Sequence, residues 1–136
     1  MSAATTNSPS FPTHVFVYGT LMKGQPDHKL LEQGQIKSIV PASISGELID
    51  LGDYPGLRLS SYSKGRVLGE LIEVEALDKV IEAVDNEEGP AFRREIVNVT
   101  LEDGRSHFAW TYVLASDAGH YPVIESGEWR GKAAGR

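Results

Sequence analysis

Short segments with the residue patterns of β-strands fill most of the sequence between residues 14 and 114. Aromatic and β-branched residues favour strands, and Gly, Pro, Asn and Asp mark the turns between them. The turn at 102–105 predicts that the last two strands are antiparallel neighbours. We predict strands at 14–18, 36–40, 43–49, 57–60, 66–74, 92–101 and 106–114, with a break at Pro41. The first is apolar throughout, so we expect it to be buried on both faces.

Two segments favour helices, and they lie far apart in the chain. The clearer one is 76–84, where apolar residues have the spacing of one helix face: Leu77, Val80, Ile81 and Val84. We expect this helix to stop at the acidic segment 85–90. Asp27 can cap a shorter helix through Glu32, and Gly34 stands where a left-handed residue would end it. Many strands with two separated helices predict an α+β fold around a curved or closed mixed sheet.

Length, charge and composition exclude several classes of function. The 136 residues suffice for one domain with a single core. The formal net charge is −6, and no stretch combines clustered Lys and Arg with aromatic residues, so we expect no nucleic-acid partner. The absence of cysteine excludes disulfides and cysteine nucleophiles. We expect a flexible N-terminal tail at 1–13 and a C-terminal tail at 131–136. With no signal-peptide pattern and no membrane-spanning apolar run, we expect a cytoplasmic protein without a membrane partner.

The first strand ends in Tyr18, Gly19, Thr20 and Leu21. A buried strand that runs into Gly and Thr leaves backbone N–H groups unpaired at its end, and Gly allows a ligand to approach closely. Such a loop can hold a carboxylate or a developing oxyanion. The alternative is structural: Gly19 only turns the chain, and Thr20 makes a local hydrogen bond.

An acidic cluster and two arginines are further candidates for a site. Glu88 follows Asp85 and Glu87 closely, and burial over the core opening would raise its pKa into the range of a general acid/base. The alternative is a solvated acidic loop. Arg93 and Arg94 are adjacent in a predicted strand and must point to opposite faces. One of them can pair with a substrate carboxylate or orient a catalytic Glu, or both can be surface residues.

Other catalytic constellations have little support. The four histidines are scattered without a metal-binding spacing, so we expect no metal: His14, His28, His107 and His120. A nucleophile elbow of the form G-x-S-x-G is absent, which disfavours a serine hydrolase.

The order of these segments resembles that of the γ-glutamylcyclotransferase-like (AIG2-like) proteins. The run from Val15 through Tyr18-Gly19-Thr20-Leu21 to His28 looks like the opening of that family and is especially similar to its γ-glutamylamine cyclotransferase branch. Further on, Asp85-x-x-Glu88-Gly89 and Phe92-x-Arg94 resemble its second block. Phe92 stands where many members have Tyr. The resemblance covers residues 14–130, which we take as one domain.

The resemblance implies a small mixed or antiparallel β-barrel flanked by two main helices. It also implies an enzyme that releases 5-oxoproline and a free amine or amino acid from a γ-glutamyl compound, without a cofactor. Glu88 takes the catalytic position, and Tyr18, Gly19, Thr20 and Leu21 hold the γ-glutamyl group. Tyr54 and Arg94 are further candidate substrate contacts. We expect a monomer whose partner is the small-molecule substrate. The alternative is a non-catalytic module of the same fold that binds a small acid or a protein.

Overall fold

The strands form a sheet that closes into a barrel. A computed structural model describes residues 12–60, 65–116 and 120–130, so most of the two predicted tails and of the connection 61–65 lies outside the described residues. The elements in chain order are β1 (His14–Val17), α1 (His28–Glu32), β2 (Ile36–Asp50), β3 (Pro55–Leu59), β4 (Arg66–Val74), α2 (Leu77–Glu88), β5 (Phe92–Leu101) and β6 (Ser106–Leu114).

Five of these strands make the closed ring. The strand order is β3-β2-β4-β1-β6-β5, and β2 also pairs with β5 through Ala42↔Leu101 and Ser43↔Thr100. The second half of β2 carries β3 as an additional antiparallel neighbour. β1 runs parallel to β6, with Val15 opposite Trp110, and the other strand pairings are antiparallel. The prediction of an α+β fold with a closed, mixed sheet and two flanking helices is therefore confirmed.

β1 is buried on both faces, as its continuous apolar run predicts. Phe16 packs into the barrel interior, whereas Val15 and Val17 join a second core on the outside of the wall. Side chains from both helices fill this second core, among them Leu31, Leu77, Ile81 and Val84. The helices therefore cover the outer wall beside β1, and they bring their ends close to the point where β1 finishes. Within the described residues, neither helix has the length and apolarity needed to cross a membrane.

The predicted break at Pro41 is wrong, because β2 continues through it as one strand. Pro41 lies opposite Glu70 of β4 and is exposed. Proline is tolerated in a sheet where its nitrogen does not need to donate to a neighbouring strand. Among the described strands, the stretch of β2 from Ile36 to Pro41 pairs with β4 alone, so the proline nitrogen can face the open side.

The helix ends also differ from the predictions. α2 does not stop before the acidic cluster but continues to Glu88, and Gly89 with φ 79° ends it. Asp27 precedes α1 but makes no side-chain capping bond. The left-handed residue after α1 is Gln35, with φ 69°, rather than Gly34. Gly34 is instead needed for packing, since a Cβ there would lie 2.6 Å from Cγ1 of a valine in β4.

Candidate active site

The loop at the end of β1 is held by its carbonyl groups. The oxygens of Gly19, Thr20 and Leu21 each accept a hydrogen bond, from Met22 N at 3.0 Å, Asp27 N at 2.9 Å and His28 Nδ1 at 2.9 Å. In the part of the chain that the structure describes, the amides of Gly19, Thr20 and Leu21 donate to no protein acceptor. The predicted set of unpaired N–H groups is therefore present. Fixed carbonyls and unpaired amides make this loop a rigid donor surface.

Gly19 is required at its position by a close approach rather than by its dihedral angles. A Cβ on Gly19 would lie 2.8 Å from Cγ of Pro55 and 2.9 Å from its Cδ, which is closer than such atoms pack. Pro55 is the first residue of β3, and Tyr54 before it is partly exposed at the mouth of the same pocket. Tyr54, one of the candidate substrate contacts, therefore lines the same pocket as the loop.

A small pocket of about 170 Å³ lies in front of this loop. Its lining brings together most of the predicted site residues: Tyr18, Gly19, Thr20, Leu21, Tyr54 and Glu88. Pockets for drug-sized ligands have volumes of about 300–1,000 Å³. A pocket of this size suits a single small group of the size of an amino acid.

Glu88 is the last residue of α2 and is largely withdrawn from water on the wall of this pocket. Burial, and after it the neighbouring carboxylates of Asp27, Glu87 and Asp85 in that order, together raise the pKa of its carboxyl from 4.5 to about 7. A carboxyl group with a pKa near neutrality can both accept and donate a proton at the pH of a cell. The geometry thus supports Glu88 as a proton-transfer group on the wall of the pocket that Gly19, Thr20 and Leu21 also line.

Two tyrosines connect the loop to the wall of the barrel. The hydroxyl of Tyr18 is buried and donates to the backbone carbonyl of Tyr112 at 2.7 Å. Burial, followed by the nearby Glu88 carboxylate, raises the pKa of Tyr18 well above its usual value. Tyr18 therefore stays protonated and acts as a structural donor. The hydroxyl of Tyr112 donates to Oδ1 of Asp85 at 2.6 Å, and burial also raises the pKa of Tyr112.

The two arginines point to opposite faces of β5, as predicted. Arg93 is exposed and pairs with Glu95 on the same strand. Arg94 is partly buried and binds Asp85 with two nitrogens, Nε to Oδ1 at 2.9 Å and Nη2 to Oδ2 at 3.1 Å. Arg94 lies outside the small pocket and lines an adjoining groove of about 400 Å³, which also contains Glu88. Its guanidinium is thus committed to a protein carboxylate.

The sequence interpretation assigned no role to Asp85 or Tyr112 beyond the family motif, although both belong to the site. One pattern could have indicated Asp85: it lies three residues before Glu88, so a helix extended to residue 88 places both carboxylates on one face. Tyr112 lies in the alternating pattern of β6, but its partner across the fold has no local sequence signature. Among the described residues, no group of three or more His, Cys, Asp or Glu side chains is arranged to hold a metal ion.

The chain is similar to known proteins of one family. The family model described as gamma-glutamyl cyclotransferase, AIG2-like, matches residues 15–131. The gamma-L-glutamyl-butirosin B gamma-glutamyl cyclotransferase of Niallia circulans is 37% identical over 126 residues, covering 88% of this chain and 77% of that protein.

Solved structures show the same fold. An AIG2-like protein from Mus musculus matches with a TM-score of 0.70 and 26% identity, over 89% of this chain and 90% of that one. YkqA from Bacillus subtilis matches with a TM-score of 0.69 and 27% identity. The match covers 88% of this chain but only 40% of YkqA. Because the family model covers nearly the whole domain, the chain belongs to the gamma-glutamyl cyclotransferase, AIG2-like family.

Proposed function

We propose that this protein converts a γ-glutamyl compound into 5-oxoproline and a free amine by intramolecular aminolysis. The α-amine nitrogen of the glutamyl group attacks its own γ-carbonyl carbon, and a new C–N bond closes a five-membered ring. The bond from that carbon to the leaving nitrogen then breaks. The nucleophile belongs to the substrate, so the reaction needs neither a protein nucleophile nor a water molecule.

One observation carries this proposal: Glu88 lines the same small pocket as Gly19, Thr20 and Leu21, the residues whose amides are unpaired. The substrate's α-ammonium group must lose a proton before its nitrogen can attack, and the leaving nitrogen must gain a proton as its bond breaks. Glu88 can serve both in turn, because its pKa of about 7 places the two protonation states at similar populations near neutral pH.

The loop amides supply the second requirement, which is electrostatic. The γ-carbonyl oxygen gains negative charge as the ring closes, and the substrate also carries an α-carboxylate. Backbone N–H groups fixed in advance stabilise either anion without reorganising, and removal of one such donor in comparable sites costs about 100- to 1,000-fold in kcat. The small pocket should lower the barrier further, since it would hold the substrate's glutamyl group folded with its amine close to its carbonyl.

The first test is turnover itself, measured as 5-oxoproline released from a panel of γ-glutamyl amines and γ-glutamyl amino acids. We expect release from at least one compound by the wild-type protein. The Glu88→Gln variant should lose about 100-fold or more in kcat while still binding 5-oxoproline. Glu82→Gln is the matched control, because Glu82 is exposed on the same helix and outside the pocket.

The outcomes separate the proposal from its alternative. Near-normal turnover by Glu88→Gln would remove Glu88 from the role of general acid/base. If no member of the panel releases 5-oxoproline but the protein still binds added 5-oxoproline, the result would favour a non-catalytic small-acid-binding module. The panel also identifies the leaving group. The Niallia circulans relative is named as acting on gamma-L-glutamyl-butirosin B.

A further inference from the structure

The last turn of α2 has a charge distribution that is unfavourable by itself. Asp85, Glu87 and Glu88 crowd the C-terminal end of the helix, and no basic residue lies in that turn. A helix C-terminus carries partial negative charge, so carboxylates there destabilise the helix by several tenths of a kcal/mol each. The turn nevertheless forms, and contacts from outside the helix must therefore offset this repulsion.

Asp85 receives those contacts from two strands. Arg94 of β5 binds both of its carboxylate oxygens, and the Tyr112 hydroxyl of β6 donates to one of them at 2.6 Å. Bidentate pairs between arginine and carboxylate fix orientation as well as charge. The guanidinium of Arg94 lies in turn over the ring of Trp110, with Cζ 4.1 Å from the ring centroid. Asp85 is therefore held by one charged and one neutral partner, and the charged partner, Arg94, is itself stacked on Trp110.

Tyr112 extends this arrangement to the other side of the pocket. Its side-chain hydroxyl binds Asp85, and its backbone carbonyl accepts the hydroxyl of Tyr18 at the start of the donor loop. The same residue thus touches the helix that carries Glu88 and the loop that carries the amides. A movement of either wall would have to break a partly or fully buried hydrogen bond, which costs about 1–3 kcal/mol.

We propose that Asp85, Arg94 and Tyr112 form a positioning clamp that fixes the last turn of α2 on the barrel and thereby sets the orientation and the charge environment of Glu88. This inference rests on the proposed function, because it assigns the clamp to the general acid/base of that reaction. The three residues are positioning residues, and Arg94 acts through Asp85 rather than on the substrate.

The charged and titratable groups around Glu88 determine what the clamp should do. Asp27 faces it from the segment before α1, Asp85 and Glu87 from its own helix, Tyr18 from the donor loop and Tyr112 from β6. Both tyrosines are neutral near pH 7, so three carboxylates surround Glu88. Arg94 neutralises one of them. Asp85 raises the pKa of Glu88, and Arg94, which lines the same groove as Glu88, carries the opposite charge. We therefore expect the two halves of this ion pair to act on Glu88 with opposite signs.

The test is a titration of the Glu88 side-chain carboxyl by carbon-13 NMR in the absence of substrate. In Asp85→Asn a negative charge is lost and Arg94 is left uncompensated, so the midpoint should fall by about one pH unit. In Arg94→Met the carboxylate of Asp85 is left uncompensated, and the midpoint should rise by about one pH unit. Tyr112→Phe changes no charge and should leave the midpoint close to that of the wild type.

Measurements of kcat test whether the clamp also fixes the position of Glu88. In all three variants kcat should fall by about 10- to 100-fold, because a small displacement of a catalytic group is costly. The acidic limb of the pH–rate profile should move with the NMR midpoint in each charge variant, because Glu88 must be ionised to accept the proton of the substrate's ammonium group. Arg93→Met is the matched control for Arg94→Met, since Arg93 lies next to it on the opposite, exposed face, and it should change neither readout.

Opposite shifts in Asp85→Asn and Arg94→Met support the clamp, and shifts of the same sign, or none, overturn it. If Arg94→Met does not fold, Arg94→Gln replaces it, because glutamine retains an N–H donor toward Asp85 but carries no charge. The titration requires no turnover. A protein that turns over no γ-glutamyl compound but shows the opposite shifts would therefore refute the proposed function and leave the clamp standing.

Discussion

Replacing Glu88 with glutamine should make the protein more stable than the wild type above neutral pH, in addition to removing turnover. The pKa of Glu88 is about 7 in the folded protein against 4.5 for the free side chain. A carboxyl group with a raised pKa holds its proton more tightly in the folded state. It therefore contributes stability that is fully present below about pH 4.5 and is lost as the pH rises through 7.

The size of this effect follows from the shift. A difference of about 2.5 pH units, from 4.5 to about 7, corresponds to about 3 kcal/mol at 1.4 kcal/mol per unit. Because the side chain keeps some contact with water, we expect about 2 kcal/mol to be lost between about pH 5 and pH 8. Glutamine has nearly the same shape and never ionises, so the variant lacks this loss.

Urea unfolding at several pH values between about 5 and 8 measures the effect. The free energy of unfolding of Glu88→Gln minus that of the wild type should increase by about 2 kcal/mol across this range. The difference cancels the pH dependence of groups that do not interact with residue 88. Glu82→Gln should give a difference that is nearly independent of pH. A flat difference for Glu88→Gln would show that Glu88 is solvated in the folded protein, and the assignment of a raised pKa would be wrong.

Three further predictions concern the loop and the profile of activity. Gly19→Ala should destabilise the protein by about 1–3 kcal/mol and reduce turnover sharply, because the new Cβ collides with Pro55; thermal unfolding and kcat measure the two effects, and an unaffected variant would contradict the close packing. Tyr18→Phe should cost about 1–3 kcal/mol in urea unfolding, because the Tyr112 carbonyl loses a buried donor; a neutral effect would mean that this bond contributes nothing. The pH–rate profile should change slope near pH 7 in the wild type, and Glu88→Gln should lack this inflection; an inflection retained in the variant would belong to another group.

The elements whose sequence patterns are strong were predicted with their observed bounds. β4, β5 and β6 begin and end where the alternation of residue types and the intervening turns place them. These patterns are local, because a side-chain period of two and a turn residue can be recognised within about ten positions. The hairpin of β5 and β6 follows from the same information, since its turn lies between two adjacent strands.

The predictions that were wrong concern elements that depend on contacts between distant parts of the chain. The last turn of α2 has an acidic sequence that favours a loop, and it becomes helical where Arg94 and Tyr112 hold Asp85. A proline normally interrupts a strand, but at Pro41 β2 pairs with β4 on one side only. The proline nitrogen therefore does not need to donate a hydrogen bond to a neighbouring strand. The same reasoning applies to the site: the order of its motifs indicated Glu88, whereas the partners that orient it were not visible in any local window.

The parallel pairing of β1 with β6 places the first strand against one that is synthesised about 95 residues later. Contacts between such distant residues slow folding, because the intervening chain must be ordered before they form. Tyr18 cannot meet the carbonyl of residue 112, and its loop cannot be fixed beside Glu88, until β6 has left the ribosome. A nascent chain ending before β6 would therefore leave one edge of β1 unpaired, and unpaired strand edges in incomplete chains are prone to aggregation.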